Sequence, residues 1–451
     1  MRKDYKWLHF VWYKDLTFWS AQYYISDEFK FNKNYELNKI GSFLERNKTL
    51  ITVEDDGEYK RVTIKINNGG CCLRDIAMGK NIGTKIQNEI SKGQFIISKI
   101  DARNGAFGIV PESLDKAIVT NDFPVFDINT GIINPQFLLL ITSTERFKSY
   151  AQKCSNGTTN RQRIDIDDFL NVKIPTPQLT TQQLVVDAYN SKFQLAETNE
   201  KQSAILEDNI QTYLIDKLNI KINTTGNKFF FLKSEFIDSR RWDTLFFMPK
   251  KDFESDYHCI TLGECLENFI TDIDGKSLRI DTYKMPEQNF SYIGMENVEK
   301  ETGNLIDFQY VSGNTIKSQT IKVPKYYFLY GKLRPYLNKY WYNDTDEKNI
   351  VCSSEFFVFS IKNTINPYYF LYYLSSTAVQ KQIEKLSQGA RMPRINEKTF
   401  KSIKVPLPPL DVQDEIAKHI STIRQQIKKL KQQAINLRET AFIEFENEIF
   451  E

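Results

Sequence analysis

The sequence predicts a mixed α/β (α+β) chain: two tandem, repeated globular domains separated by two long antiparallel coiled-coil helices. Three observations carry that reading. The first is a repeat. NGTTNRQRIDIDDFLNVKIPTPQLTTQQ (156–183) is answered by QGARMPRINEKTFKSIKVPLPPLDVQDE (388–415). Gly157, Arg163, Ile164, Phe169, Lys173, Pro175, Pro177, Leu179 and Gln182 match Gly389, Arg394, Ile395, Phe400, Lys404, Pro406, Pro408, Leu410 and Gln413. The offset is 232 at the glycine (389 − 157) and 231 from Arg163 onward (394 − 163), about half of the 451 residues. A period this long means a duplicated domain pair, since solenoid repeats run to a few tens of residues.

The second observation is a seam. After Pro409 apolar residues fall at Ile416, Ile420, Ile423, Ile427, Leu430, Ala434, Leu437 and Ala441, alternately four and three apart, which is coiled-coil spacing. A helix over 412–447 would run roughly 54 Å at 1.5 Å per residue. The equivalent central helix, about 181–218, carries Val185, Tyr189, Ala196, Leu206 and Ile210 in the aligned register, with Lys192 and Asn199 interrupting it. The third is proline placement. Pro lacks an amide donor and drives its predecessor toward extended backbone, so IPTPQL and VPLPPL should be stiff extended joints directly before the helices.

The remaining elements follow in order. Strands are expected at 93–100 and 117–126, with counterparts at 325–333 and 349–359, where β-branched and aromatic residues are bounded by turn residues. Helices are expected at 135–154 and 367–387, each opening on Asn-Pro, with Asn as cap and Pro at the first helical position. The partition is 1–178 first domain, 179–222 central helical spacer, 223–408 second domain and 409–451 C-terminal helical spacer. Trp19 and Trp242 align between copies, but residues 1–35 align poorly, so the first domain's early boundary is not set by the repeat.

Composition limits the function classes. With 60 basic against 57 acidic residues, net charge +3, the chain is too balanced to coat nucleic acid indiscriminately; any contact is local. His9, His258 and His419 have no adjacent Ser, Cys or Asp partner, which argues against a histidine hydrolase. Cys71, Cys72, Cys154, Cys259, Cys265 and Cys352 lack CxxC spacing and read as reduced, buried thiols, with no metal site. No apolar run of about 18 residues occurs, and MRKDYKWLHFVWYKD interrupts its own with Lys and Asp, so a cytoplasmic protein without a membrane segment is expected.

LYGKLRPYLNKYW (329–341), VCSSEFFVF (351–359) and LPPLDVQDEIAKHI (407–420), with SKIDARNGAFGIVP (98–111) and AIVTNDFPVF (117–126) in the first half, are similar to the specificity (S) subunits of type I restriction-modification systems. The resemblance covers essentially the whole chain. It implies a non-enzymatic subunit with two target-recognition domains, each reading half of a bipartite sequence in double-stranded DNA. It further implies that the helices hold the domains apart and dock methyltransferase (M) subunits, and that a restriction (R) subunit joins the complex. S-adenosylmethionine, ATP and Mg would then belong to those partners and no cofactor to this chain.

DNA affinity needs Lys and Arg at phosphates, and specificity needs side chains on base edges. Two regions per copy qualify. The loops before the proline joints hold Lys148, Lys153, Thr158, Asn160, Arg161 and Arg163 in the first copy, and Lys381, Lys385, Arg391 and Arg394 in the second. The second region is Lys99, Arg103 and Asn104 in the first copy and Lys332, Arg334, Asn338 and Lys339 in the second, with Lys99 and Lys332 at matching repeat positions. The competing readings are a solvated basic helix C-terminus for the loops, and salt bridges to Asp101 or Glu355 for the lysines. Asn121, Asp122, Ser353, Ser354 and Glu355 suit turn formation as well as base contact.

Two further classes stay open here: a self-contained nuclease or DNA-modification enzyme with coiled-coil dimerisation, and a coiled-coil interaction scaffold. Asn134-Pro135 and Asn366-Pro367 superficially resemble an amino-methyltransferase NPPY motif, but each lacks the second proline and no FxGxG-type loop accompanies them.

Overall fold

The computed structural model describes residues 31–153, 155–156, 163–222, 253–270, 279–307, 310–317, 319–384 and 392–450. It divides into two compact units, 1–199 with 432–451, and 200–431. Each unit holds one globular domain and a stretch of both long helices.

The strand alternation of one short segment organises the first unit. Phe95 and Ile97 point to one side of strand Phe95–Ile97 and Ile96 to the other. Phe95 and Ile97 join Phe107, Phe126, Phe137, Phe147 and Phe169 in a core beneath the helices. Ile96 and Val125 instead meet Val62, Ile64, Ile90 and Val119 of a second sheet. The domain is therefore three layers: helices, a four-stranded sheet and a five-stranded sheet. The four-stranded sheet has the order Leu44–Asn47, Val125–Ile128, Phe95–Ile97, Phe107–Ile109, all antiparallel. The five-stranded sheet runs Leu50–Thr52, Ile86–Ile90, Ala117–Val119, Glu58–Lys65, Gly70–Met78, with one parallel pairing, between Ala117–Val119 and Glu58–Lys65.

The second unit repeats this topology strand for strand. Its four-stranded sheet is Leu266–Phe269, Phe356–Ile361, Phe328–Gly331, Tyr340–Tyr342. Its five-stranded sheet is Arg279–Ile280, Thr320–Lys322, Ile350–Ser353, Asn289–Ile293, Tyr310–Ser312, again with its parallel pairing in the equivalent place, Asn289–Ile293 with Ile350–Ser353.

Two expectations need correction. The strands foreseen at 117–126 and 349–359 are each two strands in different sheets, Ala117–Val119 with Val125–Ile128 and Ile350–Ser353 with Phe356–Ile361. The chain turns from sheet to sheet at TNDF and SSEF. The helices foreseen at 135–154 and 367–387 are also broken, into Pro135–Ser143 with Glu145–Lys153 and Pro367–Leu374 with Thr377–Ile383. Extended backbone at Thr144 stops one, and Ser376 caps the helix that follows the other break by accepting from the Val379 amide. Asn134 and Asn366 do cap their helices, accepting from the amides at 136 and 137 and at 368 and 369.

The proline joints are strands before the helices. Lys173–Pro175 pairs with Leu37–Lys39 and Lys404–Pro406 with Cys259–Thr261, both antiparallel. A buried glutamine ties each joint to its domain. Gln182 donates to the Pro177 carbonyl (2.7 Å) and accepts from the Asn134 amide (2.7 Å). Gln413 does the same with Pro408 (2.8 Å) and Asn366 (2.9 Å).

The helices span Leu179–Lys217 and Leu410–Ile449. In the C-terminal helix Ile416, Ile420, Ile427, Ala434 and Ala441 are buried, Ile423, Leu430 and Leu437 are half-buried, and the stripe continues to Phe445 and Ile449. In the central helix the seam differs from the expected one. It passes through Val186, Tyr189, Phe193, Ala196, Ser203, Ile210 and Leu214; Val185 and Leu206 are half-buried. Lys192 thus flanks the seam, ion-pairs with Glu444 and does not interrupt it. Within the first unit Tyr189 packs on Phe442 and Phe445; within the second, Lys217 pairs with Glu415 (2.8 Å) and Lys431 with Glu207 (2.8 Å). In each unit the two helices run antiparallel.

The thiols of Cys71, Cys72, Cys259, Cys265 and Cys352 are free; only Cys265 and Cys352 are buried, the other three half-buried, and Cys154 lies outside the described residues. Burial pushes the Cys265 thiol up to about 12, so it stays protonated.

Candidate nucleic-acid interface

The corner where the chain changes sheets is built identically in both units. In the second, the Lys332 amide donates to the Glu355 carbonyl (2.8 Å) and the Ile395 amide to the Lys332 carbonyl (3.0 Å). This brings the segment before the proline joint against SSEF. Arg394 then grips the Glu355 carboxylate with both edges of its fork, Nε to Oε2 (3.3 Å) and Nη2 to Oε1 (3.0 Å). In the first unit the Lys99 amide donates to the Asp122 carbonyl (2.9 Å) and the Ile164 amide to the Lys99 carbonyl (2.9 Å). Arg163 grips Asp122 likewise, Nε to Oδ1 (3.2 Å) and Nη2 to Oδ2 (3.3 Å). The hydrogen bond to Glu355 raises the Arg394 guanidinium above its ordinary range, although arginine keeps its charge in any case.

Both arginine side chains are about half exposed, 54% and 52%. Ion pairs in that setting are worth only about 0–1 kcal/mol, so stability alone is a weak reason to build the pair twice. What the carboxylate does provide is aim. It fixes a half-exposed guanidinium in the planar geometry that suits guanine O6/N7 or a phosphate.

Beside each corner stands a short 3-10 turn, Ala102–Asn104 in the first unit and Pro335–Leu337 in the second. Asn104 is exposed and donates weakly to Asp101 (3.4 Å), Arg103 and Lys99 are half-buried, and Arg334 is exposed. Three expected DNA contacts are corrected. Asn338 is 5% exposed, and its Nδ2 donates to the Ser375 carbonyl (2.7 Å), so it anchors the turn from inside. Lys339 donates to the Met295 carbonyl (2.6 Å), and burial lowers the proton affinity of its ammonium, so it is a structural tie. Lys332 is held inward too, donating to the Ser354 carbonyl (2.8 Å) with Nζ 5.1 Å from the centre of the Phe357 ring. Lys148 pairs with Glu145 (2.7 Å) and is only 12% exposed.

Thr158, Asn160, Arg161, Lys385 and Arg391 lie outside the described residues, and Lys153 closes the helix Glu145–Lys153. The site the structure assembles is therefore Arg163 with Lys99, Arg103 and Asn104 in one unit and Arg394 with Arg334 in the other. The acidic halves of the forks, open in the sequence between turn formation and base contact, are the arginines' partners, and Tyr336, which the sequence did not single out, is exposed on the second turn. Laying one copy on the other would have marked both. Among the described residues no cluster of three or more His, Cys, Asp or Glu could hold a metal ion.

Comparison with known proteins agrees with this architecture. A family described as the type I restriction modification DNA specificity domain matches residues 30–208 and 254–437. The type I restriction enzyme HindI specificity subunit of Haemophilus influenzae is 30% identical over 137 residues, 30% of this chain and 29% of that protein. A putative type I restriction enzyme MjaX specificity subunit of Methanocaldococcus jannaschii is 36% identical over 88 residues, 17% of this chain and 20% of that one. The chain thus matches under a third of the length of either relative. A solved chain from a study of complex assembly and conformational transition of the type I R-M system shares the fold at a TM-score of 0.56 and 15% identity, covering 93% of this chain and 98% of that one. Two matches to one family, one in each copy of a duplicated fold and together most of the sequence, have one meaning: the chain belongs to the type I restriction-modification DNA specificity family.

Proposed function

We propose that this chain reads an asymmetric bipartite sequence in double-stranded DNA for a type I restriction-modification complex, without catalysing a reaction itself. One observation carries the reading: the same sheet-to-sheet corner occurs twice, each time aiming an arginine outward through a carboxylate fork. Like frames with unlike surrounding residues suit two different half-sites. The helices would fix the unread spacer between them. Leu184, Leu195, Ile435 and Ile443 are exposed apolar residues on the helical part of the first unit, a surface suited to methyltransferase subunits, and a restriction subunit completes the complex. S-adenosylmethionine, ATP and Mg belong to those partners. The proposed location is the cytoplasm; no helix among the described residues is long and apolar enough to cross a membrane.

The test is titration of the full chain, together with its methyltransferase partner, on duplex DNA at several salt concentrations, alongside single-molecule sequencing of methylated adenines in a host carrying the genes. Salt-dependent binding to one bipartite motif is expected. Methyl transfer or cleavage by the purified chain alone would overturn the non-catalytic assignment. Absence of salt-dependent binding would favour the scaffold.

A further inference from the structure

We infer that Tyr336 reads a base of the second half-site by ring contact, at the position where the first copy presents Arg103. The inference rests on the DNA-reading function proposed above. Aligned on Lys99 and Lys332, the two turns run in parallel: Asp101 with Arg334, Ala102 with Pro335, Arg103 with Tyr336, Asn104 with Leu337, Gly105 with Asn338. The backbone agrees. Both are three-residue 3-10 turns closed by a residue in the left-handed region, Gly105 at φ 74° and Asn338 at φ 48°. The frame is held constant and the tip is not.

The second turn is built at a cost the first avoids. Arg334 and Asn338, at φ 48° both, occupy backbone space that side chains other than glycine disfavour. Four bonds hold it there. The Arg334 amide donates to the Pro393 carbonyl (2.7 Å), the Leu337 amide to the Arg334 carbonyl (2.8 Å), the Asn338 amide to the Pro335 carbonyl (3.0 Å), and the Asn338 side chain to the Ser375 carbonyl (2.7 Å). On this fixed platform Tyr336 is 60% exposed. An aromatic displayed on a preorganised turn loses little entropy on binding, which is the property of an interface anchor.

Its neighbours indicate the partner. The Arg334 backbone bond to Pro393 and the bridge between Leu333 and Arg394 set the turn beside the Arg394 fork, and Arg334 is itself exposed. A ring among cations suits a duplex: the cations take phosphates while the ring packs against a thymine methyl or an unstacked base. The first turn carries an arginine at the same position, a side chain of different base preference. The same frame therefore delivers different base preferences from the two copies.

The test uses the full chain with its methyltransferase partner, reading the methylated motif by sequencing and base discrimination by competition binding. Tyr336→Ala should lose about tenfold in discrimination at one base pair of the second half-site, leaving the first half-site and the salt slope unchanged. Tyr336→Phe should keep the preference, and Tyr336→Arg, which copies the first turn's tip, should change it. If Tyr336→Ala and Tyr336→Arg both retain every base preference, or if Tyr336→Ala weakens all sequences equally with a shallower salt slope, the inference falls while DNA reading stands. If the unmodified chain shows no sequence preference, the proposed function falls instead.

Discussion

The two domains share every strand pairing of their four- and five-stranded sheets but fill their cores with different chemistry, and the contrast shows what the fold requires. Phe107, Phe137, Ile97 and Ile141 in the first domain stand where the second has Tyr340, Tyr369, Tyr330 and Tyr373, all of them nearly or fully buried. The added hydroxyls are satisfied. Tyr369 donates to the Pro406 carbonyl (2.6 Å), Tyr373 to the Lys404 carbonyl (2.6 Å) and Tyr340 to the Glu301 carbonyl (2.8 Å). A buried hydroxyl is tolerated only with such a partner. One substitution then permits another. Arg424 on the C-terminal helix donates to the Tyr340 hydroxyl (2.7 Å) and to the Thr302 carbonyl (3.1 Å), with its guanidinium 4.7 Å from the centre of the Tyr372 ring. Its counterpart in the central helix is Phe193, which stacks on Tyr189 at 4.5 Å, and Phe107, standing where the second domain has Tyr340, has no hydroxyl to accept a bond. At this position the second domain is bonded to its helix by a polar network, whereas in the first the equivalent helix residue stacks on its own helix.

The largest effect that would test this contrast is Ile420→Asp. Ile420 is fully buried in the core shared by the second domain and its helix stretch, and an unpaired buried carboxylate there should cost roughly 4 kcal/mol or more. Chemical denaturation should show the second unit failing first; the half-buried Ile423→Asp should do less. Next, Phe137→Tyr inserts a hydroxyl into the apolar core and should destabilise by about 2 kcal/mol, whereas Tyr369→Phe, the reverse change, should cost only about 1 kcal/mol. Equal losses would mean the two cores are not tuned as described.

Arg163→Ala and Arg394→Ala test the interface. Each should relax its own half-site by about tenfold while shifting stability within about 0.5 kcal/mol, as competition binding and thermal melts would show. Loss of both half-sites from either change would end the assignment of one corner to one half-site. The smallest expected effect is in pH. The amide and hydroxyl of Thr261 hold the Glu264 carboxyl below its usual range in a capping box, and the first domain has Ser42 at the aligned position. With a lowered folded value, Glu264 contributes stability above the ordinary glutamate range and loses it as pH falls through the folded value. The stability gap between the chain and Glu264→Gln should therefore be present at neutral pH and close in acid.

Much of this was legible in the sequence because it is local. Proline placement announced the joints, three-and-four spacing announced the C-terminal helix, and Asn-Pro announced two helix starts, since each depends on residues a few positions apart. The central seam keeps Tyr189, Ala196 and Ile210 of the expected register but also runs through Val186, Phe193, Ser203 and Leu214, which that register lacked. Its small members, Ala196 and Ser203, carry little hydrophobic signal, although small side chains suit close helix packing.

What the sequence determined alone was the duplication, the proline joints before the helices and the presence of basic residues near them. Only the tertiary structure decided which of those residues face outward. The forks join Arg163 to Asp122 and Arg394 to Glu355 across 41 and 39 residues, through a corner where one apparent strand is divided between two sheets. The same packing withdrew Asn338 and Lys339 and left Tyr336 exposed. Periodicity records which face of an element is apolar. Whether a polar side chain reaches solvent or an internal carbonyl depends on elements distant in the chain, and local pattern holds no record of them.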